Sequence, residues 1–454
     1  MPAKKHKPAG KSAAMPAVAT IILNYNSPWE TMDKCLASLA AQTYARHEII
    51  LVDNASTHAI LDRVAAQYPG VRQLRLEKNL GFSGGINRGV AAAADADFVC
   101  LLNFDTFVDP DFIEQMVATA SAGDRIAGVA PKMMLAGLSR IFDSVGTSLG
   151  DNAGAFNLGI GQPDIGQYDA SERVFGSCFG ATLLRRSAFA DDSVGQLDDS
   201  YFMYFEDVDW CFRANLLGWE FRTAPAAVVH HEHSASVKDR KYNFKYKLIE
   251  LNLLRTVVKN YQRRQAVMIS YRRLKAHLRN ALLNGAGSRA TSLAIAAGFL
   301  ADLPRLLPQR WEIQRRRQVK DQEILKLSFT ELPYYDPTRY QPFYSLDALM
   351  AAYRRLHVLT GSQEAYRIWK ELEMIAFSKL KFEPEILERR LRDLLAGQPE
   401  HVLEFASRLT LDYGAISIPD QPAGRLEKTA DTPGADGSVE AAQPPEALTA
   451  EEKV

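Results

Sequence analysis

Short apolar segments alternate with amphipathic segments over the first part of the chain. Residues 18–23, 48–52, 71–76 and 98–103 are largely apolar and are typical of buried strands. Between them, apolar residues recur at helical spacing. This β-α-β-α order predicts a parallel sheet with right-handed crossovers, and the apolar strands indicate a sheet covered by helices on both faces.

Polar side chains follow the ends of several of these strands. Asn103 and Asp105 come directly after the apolar run 98–102, and Tyr25 and Asp53 stand at the ends of the first two strands. Because the carboxyl ends of parallel strands meet at one ligand-binding edge, we expect Tyr25, Asp53 and Asp105 to line one site. Alternatively, Asn103 and Asp105 are turn residues that precede Asp109-Pro110-Asp111.

From residue 238 the alternation stops and basic helical segments begin. Lys238–Lys320 holds 20 lysines and arginines against 4 acidic residues, a net charge of +16, although the whole chain is neutral. Residues 246–261 and 267–283 are amphipathic, and 290–307 is mostly apolar but broken by Asp302 and Pro304. These helices are either solvated or lie on an anionic membrane surface, with 290–307 in the interface. We expect no nucleic-acid partner, because no aromatic-basic module accompanies the charge.

Length and composition indicate more than one folded part. A chain of 454 residues exceeds one ordinary domain. We expect an α/β domain followed by helices, with polar tails too poor in apolar residues to fold. The predicted division is a disordered basic tail at 1–16, the α/β domain at 17–237, basic amphipathic helices at 238–330, a further helical region at 331–414 and a disordered tail at 415–454.

Cysteine usage and hydropathy suggest a cytoplasmic protein. The four cysteines lie far apart without CxxC spacing, which favours reduced core residues over disulfides or a zinc site. We expect no bilayer-spanning helix, because no uninterrupted apolar run reaches the roughly 18 residues that span a bilayer. The basic N-terminus lacks the apolar stretch of a signal peptide. We therefore expect the catalytic part to face the cytoplasm.

Five short motifs follow one another along the chain. They are Asn24–Asn26, Val52–Ser56, the glycine-rich Asn79–Gly89, Leu101–Asp105 and Glu206–Arg213. In this order and spacing they resemble glycosyltransferase family 2, and in particular its rhamnosyltransferase-like soluble members. The resemblance covers about residues 18–236. It implies an α/β GT-A nucleotide-sugar-binding domain with a mostly parallel central sheet, followed by a mainly α-helical C-terminal region.

The resemblance implies a nucleotide-diphosphate sugar as the donor. Tyr25 would stack on the base and Asp53 would accept a hydrogen bond from its ring NH; the alternatives are a core aromatic and an Asx turn. The glycines after Asn79 would allow close approach of the backbone to the phosphates, where the alternative is a plain helix start. The expected donor-binding residues are Tyr25, Asp53, Asn79, Gly81, Gly84, Asn87 and Asn103.

A divalent metal, Mg²⁺ or Mn²⁺, is also implied by the resemblance. Asp105 corresponds to the metal ligand of the family's DxD element, and Asn103 stands where many members have the first aspartate. The family uses a histidine on the strand after the acidic motif, and His231 fits that spacing. His230 would point to the opposite face of the strand. Only one of the two histidines should therefore serve the site.

The acidic motif supplies the expected catalytic base. By resemblance, Asp207 would take the proton of the acceptor hydroxyl in an inverting transfer, with Glu206 and Asp209 as supporting residues. Alternatively, these acids only suit the positive end of a helix dipole. Asp209 and Arg213, four residues apart, are expected to form an ion pair.

The expected function is sugar transfer from the nucleotide sugar to a hydroxyl of a saccharide or lipid-linked saccharide, in cell-surface polysaccharide or glycan synthesis. A peripheral protein at the inner face of the plasma membrane would suit such an acceptor. The Gln-x-x-Arg-Trp element of processive members is absent, since Gln309-Arg310-Trp311 does not match it. The alternatives are a sugar-nucleotide nucleotidyltransferase and a catalytically inactive binding module at the membrane. The sequence names neither the sugar nor the acceptor.

Overall fold

The computed structural model describes residues 15–57, 60–136, 138–150, 152–160, 164, 168–190, 192–232, 242–283 and 285–327. The predicted basic tail lies almost wholly outside these residues. So do the predicted helical region at 331–414, the tail at 415–454, and His233 and Ser234 of the histidine motif.

Strands and helices alternate over the first half of the α/β part, as predicted. The early elements are β1 (Val18–Asn24), α1 (Trp29–Ala40), β2 (His47–Asp53), α2 (Ile60–Gln67), β3 (Arg72–Arg75), α3 (Gly81–Ala92), β4 (Phe98–Asn103), β5 (Thr106–Val108) and α4 (Phe112–Ala120). The later ones are β6 (Ile126–Leu135), β7 (Leu138–Ser144), β8 (Thr147–Leu149), β9 (Ala155–Asn157), β10 (Arg173–Val174), β11 (Ala181–Arg185), α5 (Glu206–Leu216) and β12 (Glu220–His231). The glycine-rich region after residue 138 contains three of these strands, β7, β8 and β9.

One large mixed sheet organises these elements. Its main order in the described residues is β10-β12-β6-β11-β4-β1-β2-β3, with β5 paired to β12 and β7 to β6. The run β4-β1-β2-β3 is parallel, as expected, and so is the pair β6-β12. β11 lies antiparallel between β4 and β6 and joins the two parallel groups. Apolar layers cover both faces of the sheet. This is the predicted GT-A type of α/β fold.

The start of α1 differs from the sequence prediction. The pair Ser27-Pro28 predicts a serine N-cap followed by a proline at the first helical position. In the structure Pro28 itself occupies the N-cap position, and no side chain caps the helix. The Ser27 backbone N–H instead donates to Asn24 Oδ1 at 3.2 Å. The side chain at the end of β1 therefore organises this turn.

Within the described residues, four helices follow the sheet: α6 (Tyr242–Asn260), α7 (Arg263–Leu283), α8 (Ala286–Arg316) and α9 (Asp321–Leu325). Helix α8 runs through Pro304 and Pro308, where we had expected an interruption. It packs on α6 through a small apolar core formed by Leu251, Leu254, Val258, Ile295, Phe299 and Leu306.

By length and composition alone, one helix among the described residues could cross a membrane. It is the segment Gly287–Arg316 of α8, so the expectation that no such segment exists was wrong. The segment was missed because Asp302 and Pro304 interrupt its apolar run. Its inner side carries polar groups beside this apolar core, and Asp302 accepts a hydrogen bond from Arg255 of α6 at 2.7 Å.

Gly176, which forms an isolated antiparallel bridge with Thr147, gives a test of how closely α5 is packed. A Cβ at position 176 would lie 2.7 Å from Cβ of the buried Cys211. We expect Gly176→Ala to lower the free energy of unfolding by about 1–3 kcal/mol, because the overlapping atom belongs to a rigid part of the side chain. Urea denaturation measures the change.

Gly70→Ala is the matched control, because nothing lies within 4 Å of a Cβ at that position. It should change the free energy of unfolding by less than about 0.5 kcal/mol. Equal losses in the two variants would contradict the close contact between Gly176 and α5.

Candidate active site

The parallel strands bring the predicted ligand residues to one edge of the sheet. Asn24 of β1 lies beside Asp53 of β2, and Leu23 lies beside Asn103 of β4. Tyr25, Asp53 and Asp105 therefore stand together at the carboxyl edge of the sheet.

Asp53 is held in place by its neighbour on β1. The Asp53 carboxylate is buried and accepts a hydrogen bond from Asn24 Nδ2 at 2.7 Å. Its other oxygen lies 3.8 Å from Arg75 Nε. Tyr25 is 41% exposed, so its ring is not part of the core. These positions suit a binding edge, and the assigned contacts with the base stay predictions.

The side-chain amide of Asn54, which follows β2, holds the glycine-rich loop through three hydrogen bonds. Asn54 Nδ2 donates to Asn79 Oδ1 and to the Gly81 carbonyl, both at 3.0 Å. Its Oδ1 accepts from the Leu80 N–H at 2.8 Å. Gly81 has a φ of +72°, and a Cβ there would lie 2.3 Å from the Phe202 carbonyl oxygen. Glycine at 81 is therefore required both by the turn and by the segment that precedes α5.

Two further predicted donor residues make contacts within the protein. A Cβ at Gly84 would lie 2.7 Å from Cβ of Leu80. Asn87 Nδ2 donates to the Leu197 carbonyl at 2.9 Å and to Asp199 Oδ1 at 2.7 Å, and its Oδ1 accepts from the Leu197 N–H. Asn87 thus ties α3 to the segment before α5. A direct contact of Asn87 with the donor stays a prediction.

His231 is brought to Asp105 by strand register. β5 and β12 are antiparallel with His231 opposite Thr106. His231 Nε2 consequently lies 3.4 Å from Asp105 Oδ1. His231 Nδ1 lies 2.7 Å from Oδ2 of the buried Asp143 on β7. A carboxylate on one ring nitrogen orients the other toward a metal position in many metal sites. Asp143 was not identified from the sequence.

The charge of His231 follows from these two carboxylates. Burial alone would lower the pKa of His231, but Asp105 and Asp143 outweigh it and raise the pKa to about 10. Without a metal, His231 is therefore protonated near neutral pH, and its positive charge balances the negative charge of the neighbouring carboxylates. An oxygen and an imidazole nitrogen on either side of that position fit a divalent cation. Among the described residues, no group of three or more His, Cys, Asp or Glu could hold a metal, so phosphate and water would complete the shell.

His230 lies on the opposite face of β12, as expected. Its ring stacks on Phe107 at a centroid distance of 5.0 Å, and its Nε2 lies 3.5 Å from Asp109 Oδ1. Of the two histidines, only His231 lies beside Asp105.

Glu206 and Asp207 begin α5. Asp207 Oδ1 accepts from the Val208 N–H at 2.7 Å, and Asp207 also accepts from the Phe179 N–H. Desolvation raises the pKa of Asp207 to about 6, while burial and the charge of Asp207 raise the pKa of Glu206 well above its usual value. Near neutral pH, Asp207 is therefore mostly ionised, and burial next to this charge favours the neutral form of Glu206.

The segment Cys178–Gly180 joins the two halves of the site. Its Phe179 N–H donates to Asp207, and its Gly180 carbonyl accepts from the Asn103 N–H at 2.8 Å. A Cβ at Gly180 would lie 3.2 Å from Asn103 Nδ2. Asn103 and Asp207 therefore lie on either side of one short segment, which places the start of α5 next to the end of β4.

Asp209 is a buried structural residue. Its Oδ2 accepts from Arg213 Nε at 3.0 Å, which confirms the predicted ion pair. Its Oδ1 lies 2.9 Å from Lys259 Nζ and accepts from Asn260 Nδ2 at 2.8 Å. Burial would raise the pKa of Asp209, but Lys259 and Arg213 lower it below its usual value. Asp209 supports the site by joining α5 to α6.

The loop before Glu206 has an unusual backbone. Positive φ angles, which cost energy for residues with a side chain, occur at Phe202 (62°), Tyr204 (68°) and Phe205 (69°). Asn252 of α6 donates its amide to three carbonyls of this loop: Tyr201 at 3.0 Å, Met203 at 3.0 Å and Tyr204 at 2.8 Å. Nothing in the local sequence indicates this role of Asn252.

Comparison with known proteins identifies the family. Residues 20–191 match the family model described as Glycosyl transferase family 2. The N-acetylglucosaminyl-diphospho-decaprenol L-rhamnosyltransferase of Mycobacterium tuberculosis is 31% identical over 247 residues, which cover 50% of this chain and 80% of that protein. The chain belongs to glycosyltransferase family 2 and is a glycosyltransferase, as its motifs predicted. The nucleotidyltransferase and inactive-module alternatives are set aside.

Two other similar proteins extend the comparison. The low-salt glycan biosynthesis hexosyltransferase Agl10 of Haloferax volcanii is 24% identical over 204 residues, covering 43% of this chain and 61% of that protein. A crystal structure of GalNAc-T7 with UDP, GalNAc and Mn²⁺ superposes with a TM-score of 0.47 at 14% identity, covering 64% of this chain and 58% of that one. The family model ends at residue 191, so Asp207 and His231 lie beyond the matched residues.

Asn252 should position the loop 201–205 that precedes Glu206. We expect Asn252→Ala to lower kcat about 10–100-fold, because the loop that aims Glu206 and Asp207 loses three hydrogen bonds and a small displacement is costly in an active site. The donor Kd should change little. Steady-state kinetics with donor titration separates the two effects. Asn280→Ala, on α7, is the matched control, and a purely structural role for Asn252 would leave kcat per folded molecule unchanged.

Proposed function

We propose that the enzyme moves a hexose or rhamnose-type sugar from a nucleotide-diphosphate donor to a hydroxyl of a saccharide or lipid-linked saccharide. The transfer inverts the anomeric centre and adds one sugar per encounter. The names of the relatives support this proposal, since one is a rhamnosyltransferase of a diphospho-decaprenol acceptor and another a glycan hexosyltransferase. The product would enter polysaccharide or glycan synthesis.

One observation supports the proposal most strongly. Two side chains that can bind a metal, Asp105 and His231, lie at the same sheet edge as a carboxyl group with a raised pKa, that of Asp207. His231 faces Asp105 at 3.4 Å on one side. Asp207, with its raised pKa, lies across the segment Cys178–Gly180 from Asn103. A departing diphosphate needs the positive charge of a bound metal, and an acceptor hydroxyl needs a carboxylate that takes its proton.

Asp105 and His231 would hold the Mg²⁺ or Mn²⁺ ion. When bound, such an ion supplies positive charge to the departing diphosphate. Asp143 would keep His231 oriented through Nδ1, so that Nε2 faces Asp105. Asn103, next to this pair, would contact the donor.

The donor would lie along the carboxyl edge of the sheet. Tyr25 would cover the base, and Asp53 would accept from its ring NH. Asp207 would take the proton of the acceptor hydroxyl as that oxygen attacks the anomeric carbon. The new bond to the acceptor oxygen forms as the bond to the diphosphate breaks on the opposite face of the sugar, which inverts the centre.

We place the reaction in the cytoplasm, at the inner face of the plasma membrane. The support for this location is electrostatic. The segment Lys238–Lys320 has a net charge of +16, and basic segments are attracted to anionic lipid headgroups. A peripheral enzyme at this surface would meet a lipid-linked acceptor directly.

Substitution of Asp207 tests the proposal. After a thermal-shift screen of UDP-, dTDP- and GDP-sugars with Mn²⁺ has identified the donor, Asp207→Asn should lower kcat about 10²–10⁴-fold with little change in donor Kd, because only proton transfer is lost. Asp124→Asn, on an exposed loop, is the control. In the same assay, NMR reports the product anomer and mass spectrometry the number of sugars added.

The pH profile gives the second arm of this test. The base acts only when ionised, so the rate should rise with pH through about 6 and level off above it. The Asp207→Asn variant should lack this limb. An unchanged rate and profile in the variant would remove Asp207 from the mechanism.

Asp143 should tune the metal site without touching the metal. We expect Asp143→Asn to weaken Mn²⁺ binding about 10–100-fold, because His231 loses the carboxylate that orients its ring and raises its basicity. Electron paramagnetic resonance of free Mn²⁺ measures this binding independently of turnover. Asp164→Asn, which removes an ion-pair partner of Lys132, is the control. Equal affinities in Asp143→Asn and the unmodified enzyme would contradict the assigned ligand pair.

A further inference from the structure

Helix α8 carries a continuous apolar outer face. From Ala290 to Trp311, every exposed residue of the helix is apolar. The spacing alternates between three and four residues, so these side chains lie on one side of the helix, over a length of about 32 Å. Leu300 is 59% exposed and Trp311 is 65% exposed. The full set is Ala290, Leu293, Ala297, Leu300, Ala301, Pro304, Leu307, Pro308 and Trp311.

The opposite face of α8 is bound to the enzyme through the apolar core with α6 and through polar contacts. Arg305 Nη1 donates to Ser200 Oγ at 2.7 Å, in the segment that leads to Glu206. Arg255 of α6 donates to Asp302 at 2.7 Å, and Gln314 Nε2 donates to the Lys259 carbonyl at 3.0 Å. A bilayer-spanning α8 would have to take these polar groups from their partners into lipid, which is unfavourable. Because the inner face stays bound to the protein, only the apolar outer face is available, and a helix that presents one apolar face lies in the plane of an interface.

Helix α7 extends this surface and supplies its charge. It runs antiparallel beside α8, since Arg289 Nε donates to the Ala281 carbonyl at 3.0 Å and Arg263 and Trp311 line one surface cleft. The segment Arg263–Leu283 has six lysines and arginines and no acidic residue. Its exposed side chains include apolar ones, Val267, Met268, Tyr271, Leu278 and Leu282, beside basic ones, Arg264, Arg272, Lys275 and Arg279.

Charge identifies the surface that α7 and α8 would contact. A helical protein partner is usually specified by charged residues that flank the apolar seam. The segment 290–301 of α8 contains no charged residue at all. The neighbouring charges on α7 are all positive, which complements a surface that is uniformly negative. We infer that the outer faces of α7 and α8, from Arg263 to Trp311, dock in the plane of an anionic lipid bilayer.

This orientation connects the membrane with the active site. Helix α8, which would face the lipid, binds Ser200 through Arg305. Helix α6, which packs on the inner face of α8, binds the carbonyls of the loop before Glu206 through Asn252. Residues 198–207 would therefore lie directly behind the bilayer-contacting face. The inference deepens the proposed location and depends on the proposed function only for the statement that the acceptor arrives from the lipid.

Vesicle binding tests the inference without donor or turnover, so its failure leaves the proposed reaction standing. The full chain is sedimented with vesicles of phosphatidylcholine and phosphatidylglycerol, and with phosphatidylcholine alone. We expect binding to the first kind only. The double substitution Leu300→Gln with Leu307→Gln should weaken it at least about tenfold, because burial of one leucine shifts a partition coefficient by roughly that factor. Met15→Gln, which changes an exposed apolar residue outside this surface, is the control.

The basic side chains are tested in the same way. Arg272→Gln with Arg279→Gln should weaken binding to the anionic vesicles and reduce its dependence on salt, whereas Arg72→Gln at the sheet edge should not. Circular dichroism checks that each variant is folded. Quenching of fluorescence by brominated lipids, compared between the unmodified chain and Trp311→Phe, reports contact of Trp311 even where the leucine variant does not fold.

Four results would overturn the inference. They are no binding of the full chain to anionic vesicles, no effect of the leucine pair, and resistance of the bound protein to carbonate extraction, which indicates a spanning helix. The fourth is conversion of a dimer to a monomer by the leucine pair with vesicle binding unchanged. That result would assign the face to a second copy of the chain.

Discussion

The buried carboxylate of Asp209 holds the two parts of the enzyme together. Placing this charge in the interior is costly unless it is paired and hydrogen-bonded on all sides. Arg213 pairs with it from its own helix, and Lys259 and Asn260 do so from α6. Loss of one of these partners would leave an unbalanced charge in the core. The α/β part and the helices therefore form one unit, and the first turn of α5 is fixed at their junction.

That junction explains how a loop with three positive φ angles is maintained next to Glu206. Such a backbone is unfavourable by itself, and it persists because its surroundings determine it more than once. Asn252 binds its carbonyls from α6, and the Phe202 carbonyl accepts from the Phe82 N–H of α3 at 2.5 Å. The glycine-rich loop and the helical region thus hold the same segment from opposite sides. The donor-side loop and the acidic helix start are consequently positioned by shared contacts.

The sequence predicts those parts of the site that depend on local order along the chain. Tyr25, Asp53 and Asp105 could be assigned to one edge because strand ends in a parallel sheet meet by topology. His231 could be separated from His230 by strand alternation. Asp143 could not be found, since its contact with His231 depends on the pairing of β6 with both β7 and β12 across irregular registers. Asn252 was missed because its partners lie about fifty residues away, and the capping role of Ser27 was wrong because Asn24 takes that turn.

Helix α8 shows why pattern alone underestimated the helical region. Its apolar residues serve two surfaces: Ile295, Phe299 and Leu306 pack on α6, and another set faces outward. Read as one run, they are interrupted by Asp302 and Pro304. In the folded chain Asp302 turns inward to Arg255, and Pro304 lies on the outer face within an unbroken helix. The interruption in the sequence therefore separates two faces of one helix and not two helices. One face packs on α6 and contacts Ser200, and the other is exposed.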